Sequence, residues 1–149
     1  MSMPVIPVSV GELADKWTIL QIKSERITDS DKTDNIIKEM LMLEKILDPY
    51  NTDGEASSLI IWLLNINKRL WDIEDEIRKL EGEDVPVELL DSLAGIPDFG
   101  KTNHYNDMIK FVELARDVYI TNDKRSKIKR QINELLGSEL IEEKSYEEY

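Results

Sequence analysis

From Glu55 to Glu81 the chain runs without a single proline or glycine, and its apolar residues keep a near-heptad rhythm. Leu59, Trp62, Leu63, Ile66, Leu70, Ile73, Ile77 and Leu80 recur mainly at spacings of three and four. A strand alternates its faces every second residue and would scatter them, whereas a helix gathers them into one stripe. This spacing predicts a long helix over residues 55–81, opened by the capping box Thr52-Asp-Gly-Glu55 and stopped near Gly82. Ile60 and Trp71 widen the apolar surface beyond one stripe, so the helix is central to the fold or also faces a partner.

The other segments have the same character. Met3 to Val8 holds two prolines and reads as an extended arm. Ser9-Val-Gly-Glu12 is a capping box, predicting a helix from Val10 to Ile27 that buries Leu13, Trp17, Leu20 and Ile27. Thr28-Asp-Ser-Asp31 is a turn with several N-cap candidates. A second helix follows over 32–47, with Ile36, Met40, Leu43 and Leu47 on one face, widened by Ile37, Leu41 and Ile46. Asp48-Pro49 to Gly54 is a break. Pro86 opens a short helix to Ala94, and Gly95 to Gly100 is a loop. The last helix is expected from about 104 to 136, unbroken, because no proline or glycine falls between. It would be about 50 Å long at 1.5 Å per residue. Met108, Ile109, Val112, Ala115 and Tyr119 are read as its inward face, resumed by Ile128, Ile132 and Leu135. Gly137 ends it. The tail 138–149 packs back through Leu140, Ile141 and Tyr146, or frays.

The expectation is therefore an all-α protein: an elongated antiparallel bundle of four to five helices, two of them long, in one domain over 1–149. Its 149 residues suit one core. Charged residues make up 34% and the net charge is −12, which disfavours nucleic acid and anionic membranes as partners. The chain has no cysteine, which removes disulfides, thiolate metal sites and cysteine nucleophiles. No apolar run approaches the ~20 residues of a membrane span, and the first residues do not read as a signal peptide. The chain reads as cytoplasmic.

Three stretches carry a resemblance: Pro7-Val-Ser-Val-Gly-Glu-Leu-Ala-Asp-Lys-Trp-Thr-Ile-Leu-Gln-Ile-Lys-Ser-Glu-Arg-Ile27, Leu70-Trp-Asp-Ile-Glu-Asp-Glu-Ile-Arg78, and the stretch from Ala115 through Asn122-Asp-Lys-Arg-Ser-Lys-Ile-Lys-Arg130 to Tyr146. Together they resemble a family of small helical proteins from bacteria and marine phages whose molecular function is unassigned. The resemblance implies a neighbourhood of genes for surface-polysaccharide synthesis. This chain departs from the family pattern by extra residues around 82–98.

Four constellations bear on chemistry. Lys124, Arg125, Lys127, Lys129 and Arg130 put five cations into seven residues of an otherwise acidic chain. Lys124, Arg125 and Lys129 are the candidates for anion binding. Set against that, the five cover most of a helix circumference, and Arg125 and Lys129 flank the Ile128/Ile132 stripe, ready to pair with acidic surface. No aromatics interleave them, as a single-strand binder would require.

Asp72, Asp75 and Glu76, with Glu113 and Asp117 on the last helix, form two carboxylate sets that could together hold Mg²⁺. Neither set has the Glu-x-x-Glu spacing of all-α nucleotide pyrophosphohydrolases, and i,i+4 pairing such as Asp75 with Lys79 is the better account of them. Ser9, Gly11 and Lys16 could present amides and a cation to an anion, but capping uses the same groups. His104 is the single histidine and cannot build a His-rich metal site or a hydrolase triad.

No metal or cofactor is expected, with Mg²⁺ kept as the alternative. The reading is a non-enzymatic interaction or adaptor module, a homodimer or the binder of another protein. The alternative is binding or processing of phosphorylated sugars or nucleotides.

Overall fold

A computed structural model of the protein describes residues 4–51, 54–81 and 103–145. They are all-α, with four helices and no strand among the described residues. Helix α1 is Val10–Arg26, α2 is Ser30–Leu47, α3 is Gly54–Glu81 and α4 is Asn103–Leu135. A 3₁₀ turn, Asp48–Tyr50, ends α2 where Pro49 stops it. The short helix expected after Pro86, the Gly95–Gly100 loop, and Thr52 and Asp53 of the second capping box lie outside the described residues. By its backbone contacts the chain divides into two compact units, Met1–Lys68 with Lys124–Tyr149, and Arg69–Asp123.

Local chemistry sets the helix ends. Ser9 is extended, and its hydroxyl accepts from the Glu12 amide at 3.1 Å. Asp29, from the predicted turn, caps α2 by accepting from the Lys32 amide at 3.0 Å. Lys23 and Arg26 in the last turn of α1 suit its negative end. α4 runs its 33 residues straight through Thr121-Asn122-Asp123. It stops in a Schellman motif: the Gly137 amide donates to Glu134 O at 3.4 Å and the Ser138 amide to Asn133 O at 2.8 Å. Gly137 takes φ 61°, a left-handed conformation that glycine adopts without strain.

The core of the first unit gathers Val10, Leu13 and Ala14 of α1, Leu47 of α2, Ile60 and Leu63 of α3, and Ile128 and Ile132 of α4. Each large aliphatic buried there contributes roughly 1.5–3 kcal/mol, more than the ~0–1 kcal/mol of an exposed ion pair such as Lys16 with Glu39. In the second unit Ile73 and Leu114 are buried. There Arg69 pairs with Asp117 at 2.9 Å and Lys110 with Glu76 at 3.5 Å. A step of seven residues forward on α3 matches a step of seven back on α4, so the two long helices run antiparallel in this unit.

Two expected faces are corrected. Trp62 was placed in the inward stripe of α3, but it is 61% exposed; Leu63 and Ile73 of that stripe are buried, as are Ala56, Ile60 and Asn67. On α4, Met108, Ile109, Val112, Ala115 and Tyr119 are exposed, while Phe111, Leu114, Val118 and Thr121 turn inward. The cause is the helix's own continuity. Ile128 lies 16 residues beyond Val112, about 4.4 turns on an unbroken helix, so the two residues point to nearly opposite sides. The expected stripe puts Val112 and Ile128 on one face, which an unbroken helix does not allow, and within the second unit Leu114 and Thr121 are buried while Val112 is exposed. The tail also differs from expectation. Leu140 and Ile141 stay exposed, and Ser138 to Lys144 is held by polar contacts; Tyr146 lies outside the described residues.

Candidate functional site

Asp15 lies in α1, in the middle of the face that packs on the rest of the first unit, and is 1% exposed. A carboxylate taken out of water costs several kcal/mol unless its oxygens are matched. Here both are. Oδ1 accepts from Asn67 Nδ2 at 2.8 Å and from Arg125 Nε at 2.9 Å, and Oδ2 accepts from the second arm of the Arg125 fork. The planar guanidinium meets the carboxylate edge to edge, the geometry that arginine supplies and lysine does not. The same Asn67 amide nitrogen donates at 2.9 Å to Thr18 Oγ1, and that hydroxyl donates at 2.8 Å to Asp15 O. One carboxylate thus ties α1, α3 and α4 together.

One turn further along α4 is Lys129, with its side chain 9% exposed. Its ammonium donates to Glu12 of α1 and, at 2.9 Å, to Glu142 of the tail, and sits 3.7 Å from Asp15 Oδ2. The Glu12 carboxylate of the capping box is therefore directed to Lys129. Next to it, Arg130 pairs with Glu134 and with Glu143, both at 3.0 Å.

The α1 start is closed in the same region. The Gly11 amide donates to Asn133 Oδ1 at 2.6 Å and the Val10 amide to Ser138 Oγ at 3.2 Å. Gly11 sits so close to α4 that a Cβ there would lie 2.5 Å from Lys129 O. The helix start that could have met an anion is occupied by α4 and its terminal turn.

These contacts set the ionisation. Burial pushes the Asp15 carboxyl up, but hydrogen bonds from Arg125 and Asn67 and the charges of Arg125 and Lys129 more than offset it, holding its pKa below the usual value. The hydrogen bond to Asp15 raises Arg125 further. Burial pulls Lys129 down, yet Glu12, Glu142 and Asp15 raise it overall. The hydrogen bond from Lys129 lowers Glu142. Three carboxylates, Asp15, Glu12 and Glu142, face two cations, Arg125 and Lys129, a formal net of −1. Such a cluster has no surplus positive charge for an anion.

Of the cations predicted to bind an anion, Arg125 and Lys129 come together, but around Asp15, while Lys124 is exposed. The carboxylate sets do not converge. Glu76 and Asp117 are paired to cations of the facing helix, and Asp72, Asp75 and Glu113 are exposed. Among the described residues no group of three or more His, Cys, Asp or Glu side chains is arranged to hold a metal ion. No helix among them is long and apolar enough to cross a membrane. Sequence reasoning missed Asp15, Thr18, Asn67, Asn133 and Ser138. The available signal was polar residues inside apolar stripes: Gly11, Asp15, Thr18 and Ile22 recur at four, three and four, and Asn67 falls between Leu63 and Leu70.

Compared with known families, with curated proteins and with solved structures, the chain matches none.

Proposed function

We propose that this protein is a non-enzymatic interaction module that associates with a second copy of itself through apolar surface left open on its long helices. The observation that carries this reading is Trp62, 61% exposed on α3 beside Ile61 at 55%. Val112 on α4 is 54% exposed. Isolated surface hydrophobics are ordinary, but an open tryptophan beside an open isoleucine is the composition of an interface anchor. The internal use of Arg125 and Lys129 supports the same conclusion, because two of the three cations expected to bind an anion are paired within the fold.

Multi-angle light scattering across a dilution series tests it. The expected result is a mass that rises with concentration from the 17.3 kDa chain toward twice that value. A mass fixed at one chain throughout would overturn the reading. The other reading, a binder of phosphorylated sugars or nucleotides, requires Arg125 and Lys129 to release three carboxylates. A thermal-shift panel of such ligands, with and without Mg²⁺, is expected to leave Tm unchanged. A ligand present at a hundredfold excess over its Kd would add about 2.7 kcal/mol and be plainly visible.

A further inference from the structure

The first half of α3 carries an outward face unlike the rest of the surface. From Ala56 to Asn67 the helix passes without a single charged residue, in a chain that is 34% charged and carries −12. Opposite the buried Ala56, Ile60, Leu63 and Asn67 stand Ser58, Ile61, Trp62 and Asn65, all exposed. At about 100° per residue they share a sector of about 100°, with Ser58 and Asn65 near its midline, Ile61 on one flank and Trp62 on the other. Ile61 is 55% and Trp62 61% exposed, so most of both side chains is left uncovered by the fold.

We infer that this face pairs with the same face of a second copy, antiparallel, about a two-fold axis that passes between Ile61 and Trp62; the inference rests on the self-association proposed above and names its surface. The steps of three, one and three from Ser58 to Asn65 read identically in both directions, as an isologous contact requires. Turned about that axis, Ser58 lies level with Asn65 of the second copy on the midline. Trp62 lies against Trp62 of the second copy along one flank, and Ile61 against Ile61 along the other. The Ser58 hydroxyl donates to Gly54 O at 2.6 Å and keeps a lone pair to accept from the Asn65 amide of the second copy. The Asn65 side chain is exposed and has no hydrogen bond among the described residues.

Charge selects the occupant. A second copy also carries −12 and is repelled by acidic surface, whereas the stretch from Ala56 to Asn67 sets no like charge against it. At the ends of the face the charges are opposite. Glu55 and Arg69 stand seven residues before and after Trp62, each within about 20° of its line on the helix, so the three share a flank. The two-fold axis lays each flank on the same flank of the second copy. Glu55 therefore falls within about 1.5 Å, along the axis, of Arg69 of the second copy, and the pair occurs twice per dimer. Glu55 is exposed and has no ion pair among the described residues. Arg69 holds Asp117 at 2.9 Å, yet is about half exposed and has N–H donors for a second carboxylate. On the other flank Lys68 stays on Glu25 of its own copy at 2.7 Å and meets the uncharged Gly54. From Glu55 to Arg69 the contact runs about 21 Å, one helix face that buries less than the ~1,200–2,000 Å² of a standard stable interface, so the dimer dissociates on dilution.

Disulfide trapping tests the geometry, because the chain has no cysteine of its own. A mixture of Ser58→Cys and Asn65→Cys chains is expected to cross-link. Ser58→Cys alone is not, since its two copies lie about 10 Å apart along the axis and a disulfide needs Cα atoms within about 7 Å. Self-cross-linking of Ser58→Cys would overturn the antiparallel register. Trp62→Glu sets two carboxylates against each other beside the axis, and is expected to weaken dimerisation at least about tenfold with unchanged far-UV circular dichroism. Val112→Glu, on α4, is expected to leave the mixed cross-link in place; its loss there would overturn the α3 face. A dimer that survives Trp62→Glu and yields no mixed cross-link sinks this face while leaving self-association standing. A parent that is monomeric throughout removes self-association itself.

Discussion

Asp15 shows how one side chain can decide what a nearby cluster is for. Its carboxylate is buried and doubly held by Arg125, so truncation leaves the guanidinium and the Asn67 amide without the acceptor they share. Asp15→Ala is expected to cost about 3–5 kcal/mol in urea unfolding, the range for breaking a buried pair by removing one partner. A loss below about 1 kcal/mol would mean that the pair is solvated and idle.

The same carboxylate sets the acid limit. Its folded pKa is depressed, so its contribution is complete above the unfolded value of about 3.9 and fades as pH falls through the lower folded value. Glu142 acts in the same direction. Stability is expected to drop as pH falls below about 4, with a shallower drop in Asp15→Ala, as followed by circular dichroism at fixed urea.

Gly11 is the complementary case, where absence of a side chain is the requirement. A methyl group there meets Lys129 O at 2.5 Å, and backbone cannot swing aside. Gly11→Ala is expected to cost about 1–3 kcal/mol by forcing α1 from α4, despite alanine's better helix propensity. Unchanged or increased stability in urea would show that the two helices do not approach so closely.

At the level of elements, α4 shows which parts of the fold could be read and which could not. Helix existence and limits were legible because they rest on local chemistry: Ser9 as cap, Gly137 as stop, and the lack of any breaker at Thr121–Asp123. The rotation of α4 was not read correctly, because its buried stripe contains Thr121 and Arg125 while its outer stripe contains Met108 and Val112. Apolar spacing alone chose the outer one. Yet Val112 and Ile128 could not share one face of an unbroken helix, so the contradiction was present in the residue numbers. Asp15 and Asn67 were obscured for a similar reason, since a polar side chain within an apolar stripe declares its use only once its partners, 52 and 110 residues away, are beside it. The corrected rotation has a direct check. Leu114→Ala is expected to cost about 2–5 kcal/mol and Val112→Ala less than about 0.5 kcal/mol. The reverse order in thermal unfolding would restore the original face.

For the molecule as a whole, the account separates two kinds of surface. Two of the cations most suggestive of a ligand, Arg125 and Lys129, are turned inward on Asp15, Glu12 and Glu142, and the apolar residues Trp62, Ile61 and Val112 are turned outward. A chain carrying −12 repels its own copy, and salt screens that repulsion. Apolar association is therefore expected to tighten with salt, whereas association through the basic cluster would loosen. Sedimentation equilibrium from about 1 μM to about 1 mM protein, the span of moderate to weak affinities, at low and high sodium chloride, distinguishes the two. The expected result is a monomer–dimer equilibrium whose Kd falls as salt rises. A Kd that climbs with salt, or a single chain mass under every condition, would contradict it.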